Sequence, residues 1–360
     1  MEEKSKRNIA FNIFALILIL ILLTFSKREN QEKFIEIFNP DALVLDEENI
    51  INSIPLYEKA DNIAYYNNYI FVWQNNSLIR YNEDGSKEGE KLFNFMDPHI
   101  VFGNNAIYLC DKNLGDIHYL NLEGNLINRL KIEGEINSLK EYSQYILVHV
   151  TEDNKEGIKL LDSNGKLLAK SYIDEGGILN YCLNNKNNIY AYSTLKLENE
   201  SIRSDLKAIS LEGEIIWTYS LEDEIIMYLA FVDEERLVAM SDKGLYFIEN
   251  GDLSWEMDIS PAKDIHVEGD NIYILYDKGY ETIALDGTVK DDIFLSEDYD
   301  NMALTDDLII LYGDKSIMGI KNKSKVFKYK SDQPIIKVVA GSENLIVLYE
   351  DKIDIISFNK

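Results

Sequence analysis

The chain has 360 residues, 46% apolar and 28% charged, with 36 basic against 63 acidic side chains for a net charge of −27. That balance excludes a nucleic-acid-binding protein, because docking on phosphates needs a basic stripe that releases counterions. The 23 tyrosines and only five prolines mark a packed, strand-rich chain rather than a disordered one, and Cys110 and Cys182, far apart in sequence, read as two buried thiols rather than a disulfide.

Residues 1–7 read as a cytoplasmic tail and 8–26 as a transmembrane signal anchor. Ile9 to Phe25 is an apolar run broken only by Asn12 and Thr24; as a helix at ~1.5 Å per residue it reaches about 25 Å, enough to span once flanking Lys and Arg snorkel. Lys4, Lys6 and Arg7 favour an inside N-terminus. The run exceeds the ~7–15 apolar residues usual for a cleaved signal, and "TFS" at 24–26 is a poor cleavage site, so the helix is expected to be retained as the membrane partner of the chain. Residues 27–48 then form a polar linker and everything beyond is extracytoplasmic.

From residue 49 onward one pattern repeats. The most apolar runs begin at Tyr69, Ala106, Tyr145, Ile189, Leu237, Ile272, Leu308 and Leu345, at steps of 37, 39, 44, 48, 35, 36 and 37 residues. Each copy has a first strand, a polar turn, the apolar second strand, a hairpin, a third strand, a Gly-containing turn and a fourth strand. Five hairpins begin Asp-Lys (Asp111-Lys112, Asp242-Lys243, Asp277-Lys278, Asp314-Lys315 and Asp351-Lys352), and Gly244 and Gly279 are expected to supply a positive φ there. Helical periodicity is absent after residue 40, which excludes helical repeats.

A four-stranded meander of about 40 residues, copied eight times, predicts an all-β, eight-bladed β-propeller over 49–360, preceded by one transmembrane helix. The eighth copy has three strands only. Residues 51–59, "INSIPLYEK", are expected to complete it as an outer strand, where Pro55 is tolerated.

The fourth-strand signature resembles that of the quinoprotein-like, or PQQ-like, eight-bladed propellers, "A-x-[DS]-x-x-G-x-x-x-W". "LKAISLEGEIIWTY" supplies Ala208, Ser210, Gly213 and Trp217; "IENGDLSWEM" repeats the spacing at Gly251 and Trp255; "IALDGTVKDD" keeps Ala284, Asp286 and Gly287 but has Asp291 where tryptophan belongs. The resemblance implies blades docked by tryptophan. The dehydrogenases of that fold rely on a vicinal cysteine pair and an acid-held calcium; this chain has no such pair, so the likeness carries the scaffold without a cofactor. An N-terminal anchor before a propeller also resembles uncharacterised single-pass propeller proteins of low-GC Gram-positive bacteria.

Catalytic, cofactor-binding and metal residues are therefore not assigned. His99, His118, His149 and His266 fall in four different copies without ligand spacing. Acid pairs such as Asp233-Glu234, Asp298-Asp300 and Asp306-Asp307 read as solvated turns. Repeat length grows only in copies three and four, where 151–157 and 194–205 enlarge the second-to-third-strand loops. Such excess is where binding usually resides, and Lys155, Glu156, Lys196, Glu198, Glu200 and Arg203 form the candidate recognition patch. The expectation is a non-catalytic binding or scaffolding module for a protein or cell-envelope ligand, the alternative an envelope hydrolase or lyase acting on glycan or ester through acids on one ring face.

Overall fold

Short runs of Ile, Val, Leu, Tyr and Phe bounded by Asn, Asp and Gly fold as strands because each strand's two faces are buried against neighbours while its ends must turn. The computed structural model describes residues 42–358 except 185, 187, 199, 200, 260, 306, 307 and 342, together with 16, 19, 24–26 and 30. The predicted span at Ile9 to Phe25 lies almost entirely outside these residues. Among the described residues no helix is long and apolar enough to cross a membrane.

Eight four-stranded antiparallel sheets follow one another along the chain. Blade one is Asn62–Tyr66, Tyr69–Gln74, Ser77–Asn82 and Lys87–Leu92. Blades two to seven occupy 98–131, 135–172, 177–222, 226–258, 262–294 and 301–330, and blade eight begins with Lys337–Ala340, Asn344–Leu348 and Lys352–Ser357. This is the expected eight-bladed propeller.

Ile50–Pro55 is the outer strand of blade eight, antiparallel to Lys352–Ser357 with Ile50 opposite Ile356 and Pro55 opposite Lys352. Ile54 is buried beside residues of blade one, and the Ser53 hydroxyl donates to the buried Asp354 at 2.6 Å. Pro55, lacking an N–H, sits exposed at the end of this outermost strand, where none is required. Within the stretch expected to be a linker, Leu43–Leu45 adds a fifth strand to blade seven, parallel to Ser324–Lys330. Asp46 caps the 3-10 turn Glu47–Asn49 that carries the chain from blade seven to blade eight.

Each blade-to-blade interface holds its own apolar cluster. Between blades five and six, for example, Val238 and Phe247 meet Ile265 and Ile283; between blades eight and one, Ile346 and Ile355 meet Ile63 and Ile70. A fully buried side chain of this size contributes roughly 1.5–3 kcal/mol, and a lone blade would leave both faces wet. The ring is thus the smallest unit that covers them.

The recurring Asp-Lys turns have a structural reason. Three of the five lysines reach a neighbouring blade connection, Lys243 to Asp223 O, Lys278 to Asp298 Oδ1 at 2.6 Å and Lys315 to Asp332 O at 2.9 Å, while Lys352 pairs with Asp354 of its own strand. The expectation for Gly244 and Gly279 is corrected, since neither has a positive φ. In blade five Ser241 Oγ accepts the N–H groups of Lys243 and Gly244 at 3.0 and 2.9 Å, closing that turn without a left-handed residue. Among the described residues the left-handed positions are other glycines, such as Gly115 and Gly251, and, outside glycine, mostly asparagines, as at Asn67–Asn68 and Asn75–Asn76.

Candidate functional site

The second and third strands of blade three, Tyr145–Glu152 and Lys155–Asp162, have eight residues each, and those of blade four, Ile189–Glu198 and Ser201–Ser210, have ten. Their counterparts in the other blades have four to six. At ~3.4 Å per residue the blade-four hairpin extends about 14 Å beyond a six-residue neighbour. The extra residues, expected as loops, continue the ladder, with Glu152 opposite Lys155 around the turn Asp153–Asn154 in blade three and Glu198 opposite Ser201 in blade four.

Ion pairs stiffen both hairpins. Lys196 and Arg203 face each other in register and converge on Asp205 at 3.3 and 2.8 Å. Burial pushes the Asp205 carboxyl up, but hydrogen bonds from Arg203, Ser220 and Lys196 outweigh that and hold it below the usual range. In blade three, Lys155 pairs with Asp174 at 3.1 Å, and Glu156 meets His149 Nε2 at 3.0 Å while accepting the Ile178 N–H at 2.7 Å. Lys159, 4% exposed, is neutralised by Glu152 at 2.6 Å. The Glu198 side chain and Glu200 lie outside the described residues. Sequence reasoning missed Leu197, 77% exposed near the blade-four tip; its only signal was one apolar residue inside a charged run.

The other chemistry-bearing residues serve locally. Asp233 accepts the Glu235 and Arg236 N–H groups and pairs with Arg236 at 2.6 Å; Asp298 pairs with Lys278 and Asp300 with Lys263. Burial lowers the pKa of His99, His118 and His149. Cys110 and Cys182 are free, and burial pushes both thiols up to about 12. No group of three His, Cys, Asp or Glu placed to hold a metal ion occurs among the described residues.

The fourth-strand signature has a visible mechanical role. Trp217 of blade four lies against the turn of blade five so closely that a Cβ on Gly251 (φ +88°) would sit 2.6 Å from Trp217 Cβ. Trp255 of blade five lies over Gly287 (φ +83°) of blade six, donates its Nε1–H to Leu285 O at 2.9 Å and stacks on Phe247 with centroids 5.3 Å apart. Other blades occupy the position differently. Asn128 donates to Asn164 O at 3.4 Å and Asn52 to Glu83 O at 3.3 Å, each in the next blade's turn. In blade six Asp291 stands opposite Thr282 as Trp255 stands opposite Phe247, and it pairs with Lys323 of blade seven at 2.6 Å.

Comparison with known proteins agrees with the fold. The C-terminal WD40 domain of Sif2 superposes with a TM-score of 0.68 at 12% identity, covering 89% of this chain and 99% of that one. Sqt1 of Saccharomyces cerevisiae gives 0.62 at 11% identity, over 89% and 99%. BamB of Moraxella catarrhalis, a PQQ-like propeller, gives 0.57 at 11%, over 86% and 99%. At these identities the likeness is one of fold. No curated protein matches in sequence. A family model described as a family of unknown function, DUF5711, matches residues 44–358, the whole of the ring, and the chain belongs to that family.

Proposed function

We propose that this protein is a membrane-anchored, extracytoplasmic propeller that binds a protein or cell-envelope partner through the face carrying the long hairpins of blades three and four. One observation carries the reading: two adjacent hairpins are built well beyond what ring closure needs, as ladders locked by Asp205 and Glu152 rather than as slack loops. A rigid projection lowers the entropy lost on binding, and the exposed Leu197 offers an apolar contact next to Lys196 and Arg203 of the same hairpin. The other propellers are folded likewise, and propellers commonly present binding surfaces on loops that rise from a fixed ring. The N-terminal apolar run supports the anchor and its basic flank supports export of the ring.

The test replaces residues 196–203 with Asn-Gly, leaving Leu195 and Ser204 paired, and crosslinks the full chain in its own cells. Loss of the crosslinked partner with the ring still folded is expected; the same partner at the same yield would overturn the assignment of this face. Protease applied to intact cells should remove the ring, and full protection would overturn the exported topology.

A further inference from the structure

Where Asp291 replaces the docking tryptophan, the joint between blades six and seven stays open. A crevice of about 520 Å³ lies there, walled by Tyr273 and Ile293 of blade six and by Leu304 and Ile309 of blade seven, with Asp291 and Lys323 also lining it. It opens among first-to-second and third-to-fourth strand turns, on the ring face opposite the long hairpins.

We propose that this crevice binds a planar aromatic ring carrying an N–H donor, of the indole class. Three observations lead there. The backbone register around Asp291 matches that around Trp217 and Trp255, so residue 291 faces the next blade's turn as those tryptophans do, but as a small carboxylate beside Lys323 rather than an indole over Gly251 or Gly287 it leaves a crevice there. The volume falls in the ~300–1,000 Å³ range of small-ligand sites, and Tyr273, Tyr280, Ile293 and Ile309 offer apolar surface to a flat body while the polar half of the lining, Asp291 included, offers partners for a polar handle. Asp291 is mostly buried, its side chain 17% exposed, whereas its partner Lys323 is 66% exposed. A Lys323 that gives up Asp291 and its bond to Lys290 O at 3.1 Å, both at an exposed ammonium, leaves the carboxylate to accept the ring N–H, a charge-assisted bond. The ring could be a free small molecule or the side chain of a peptide; the chemistry recognised is the same.

The full chain, labelled at isoleucine methyl groups, is titrated with N-acetyl-tryptophanamide and separately with acetyl-Gly-Trp-Gly-amide. Saturable shifts confined to Ile293, Ile309 and their neighbours are expected. An affinity for the tripeptide about tenfold above that for the single residue, equivalent to about 1.4 kcal/mol, identifies a peptide source, and equal or weaker binding identifies a free aromatic. Asp291→Trp fills the crevice and should abolish the shifts. Asp291→Ala keeps the cavity and should reduce the preference for N-acetyl-tryptophanamide over N-acetyl-phenylalaninamide by about tenfold. Absence of saturable shifts in the unaltered chain, or unchanged binding by a folded Asp291→Trp chain, overturns the proposal.

Discussion

The joints on either side of blade six share a fourth-strand register but differ in the residue that faces the next blade, Trp255 or Asp291, and in the turn it faces, which carries Gly287 in blade six and Asn322–Lys323 in blade seven. Between blades five and six, Trp255 covers Gly287, stacks on Phe247 and donates to Leu285 O; between blades six and seven, Asp291 pairs with Lys323 and a crevice remains. The ring geometry is therefore set by the strands and the apolar clusters behind them. The fourth-strand residue and the turn it meets decide together how tightly a joint is shut and whether it has room for something else.

That contrast is most directly broken by Trp255→Ala. Loss of the stack, the hydrogen bond and the cover over Gly287 should destabilise the ring by about 2–4 kcal/mol, read as a lower denaturant midpoint with unchanged slope. Next, Gly251→Ala should cost about 1–3 kcal/mol, because it forces a left-handed L-residue and a Cβ 2.6 Å from Trp217. Gly287→Ala should cost less, since its Cβ meets Trp255 at 3.4 Å; equal costs would show that backbone strain alone matters at these turns. Smaller still, Asp291→Asn removes a partly exposed ion pair and should cost less than about 1 kcal/mol, vanishing in high salt, whereas the Trp255→Ala cost should not depend on salt.

Acid should strike elsewhere in the ring. Burial holds the folded-state pKa of His99, His118 and His149 below the ordinary 6.5, so below pH 6.5 the unfolded chain takes up protons more readily than the folded one. The stability these residues contribute is complete above pH 6.5 and is lost as the pH falls towards their lowered values. All three sit in blades two and three, and hydrogen exchange compared at pH 7.5 and 5.5 should show protection falling there before it falls at the two joints of blade six.

Much of this was legible in the sequence because a repeat averages over its own noise. Eight apolar runs at near-constant spacing predicted the blades, and the incomplete eighth copy predicted the closing strand, observed as Ile50–Pro55. Trp217 and Trp255 announced their docking through the Gly-x-x-x-Trp spacing. Leu43–Leu45 did not, since three residues cannot show an alternation and their parallel partner lies some 280 residues away. The hairpins at 151–157 and 194–205 were visible as added length, but polar composition made them read as loops, whereas cross-strand pairs keep them as ladder. Asn52 carries no tryptophan signal, and the missing tryptophan at Asp291 could not reveal by itself whether the neighbours close in or leave a crevice.

Asp291→Trp in a chain labelled with 5-fluorotryptophan gives the most direct test of the crevice. The chain has Trp73, Trp217 and Trp255, and the variant adds a fourth fluorine resonance. A dispersed signal with a small solvent-isotope shift, like that of Trp255, is the predicted result, because the strand register points residue 291 into the crevice. A signal at the position of free tryptophan with the full solvent-isotope shift would contradict it.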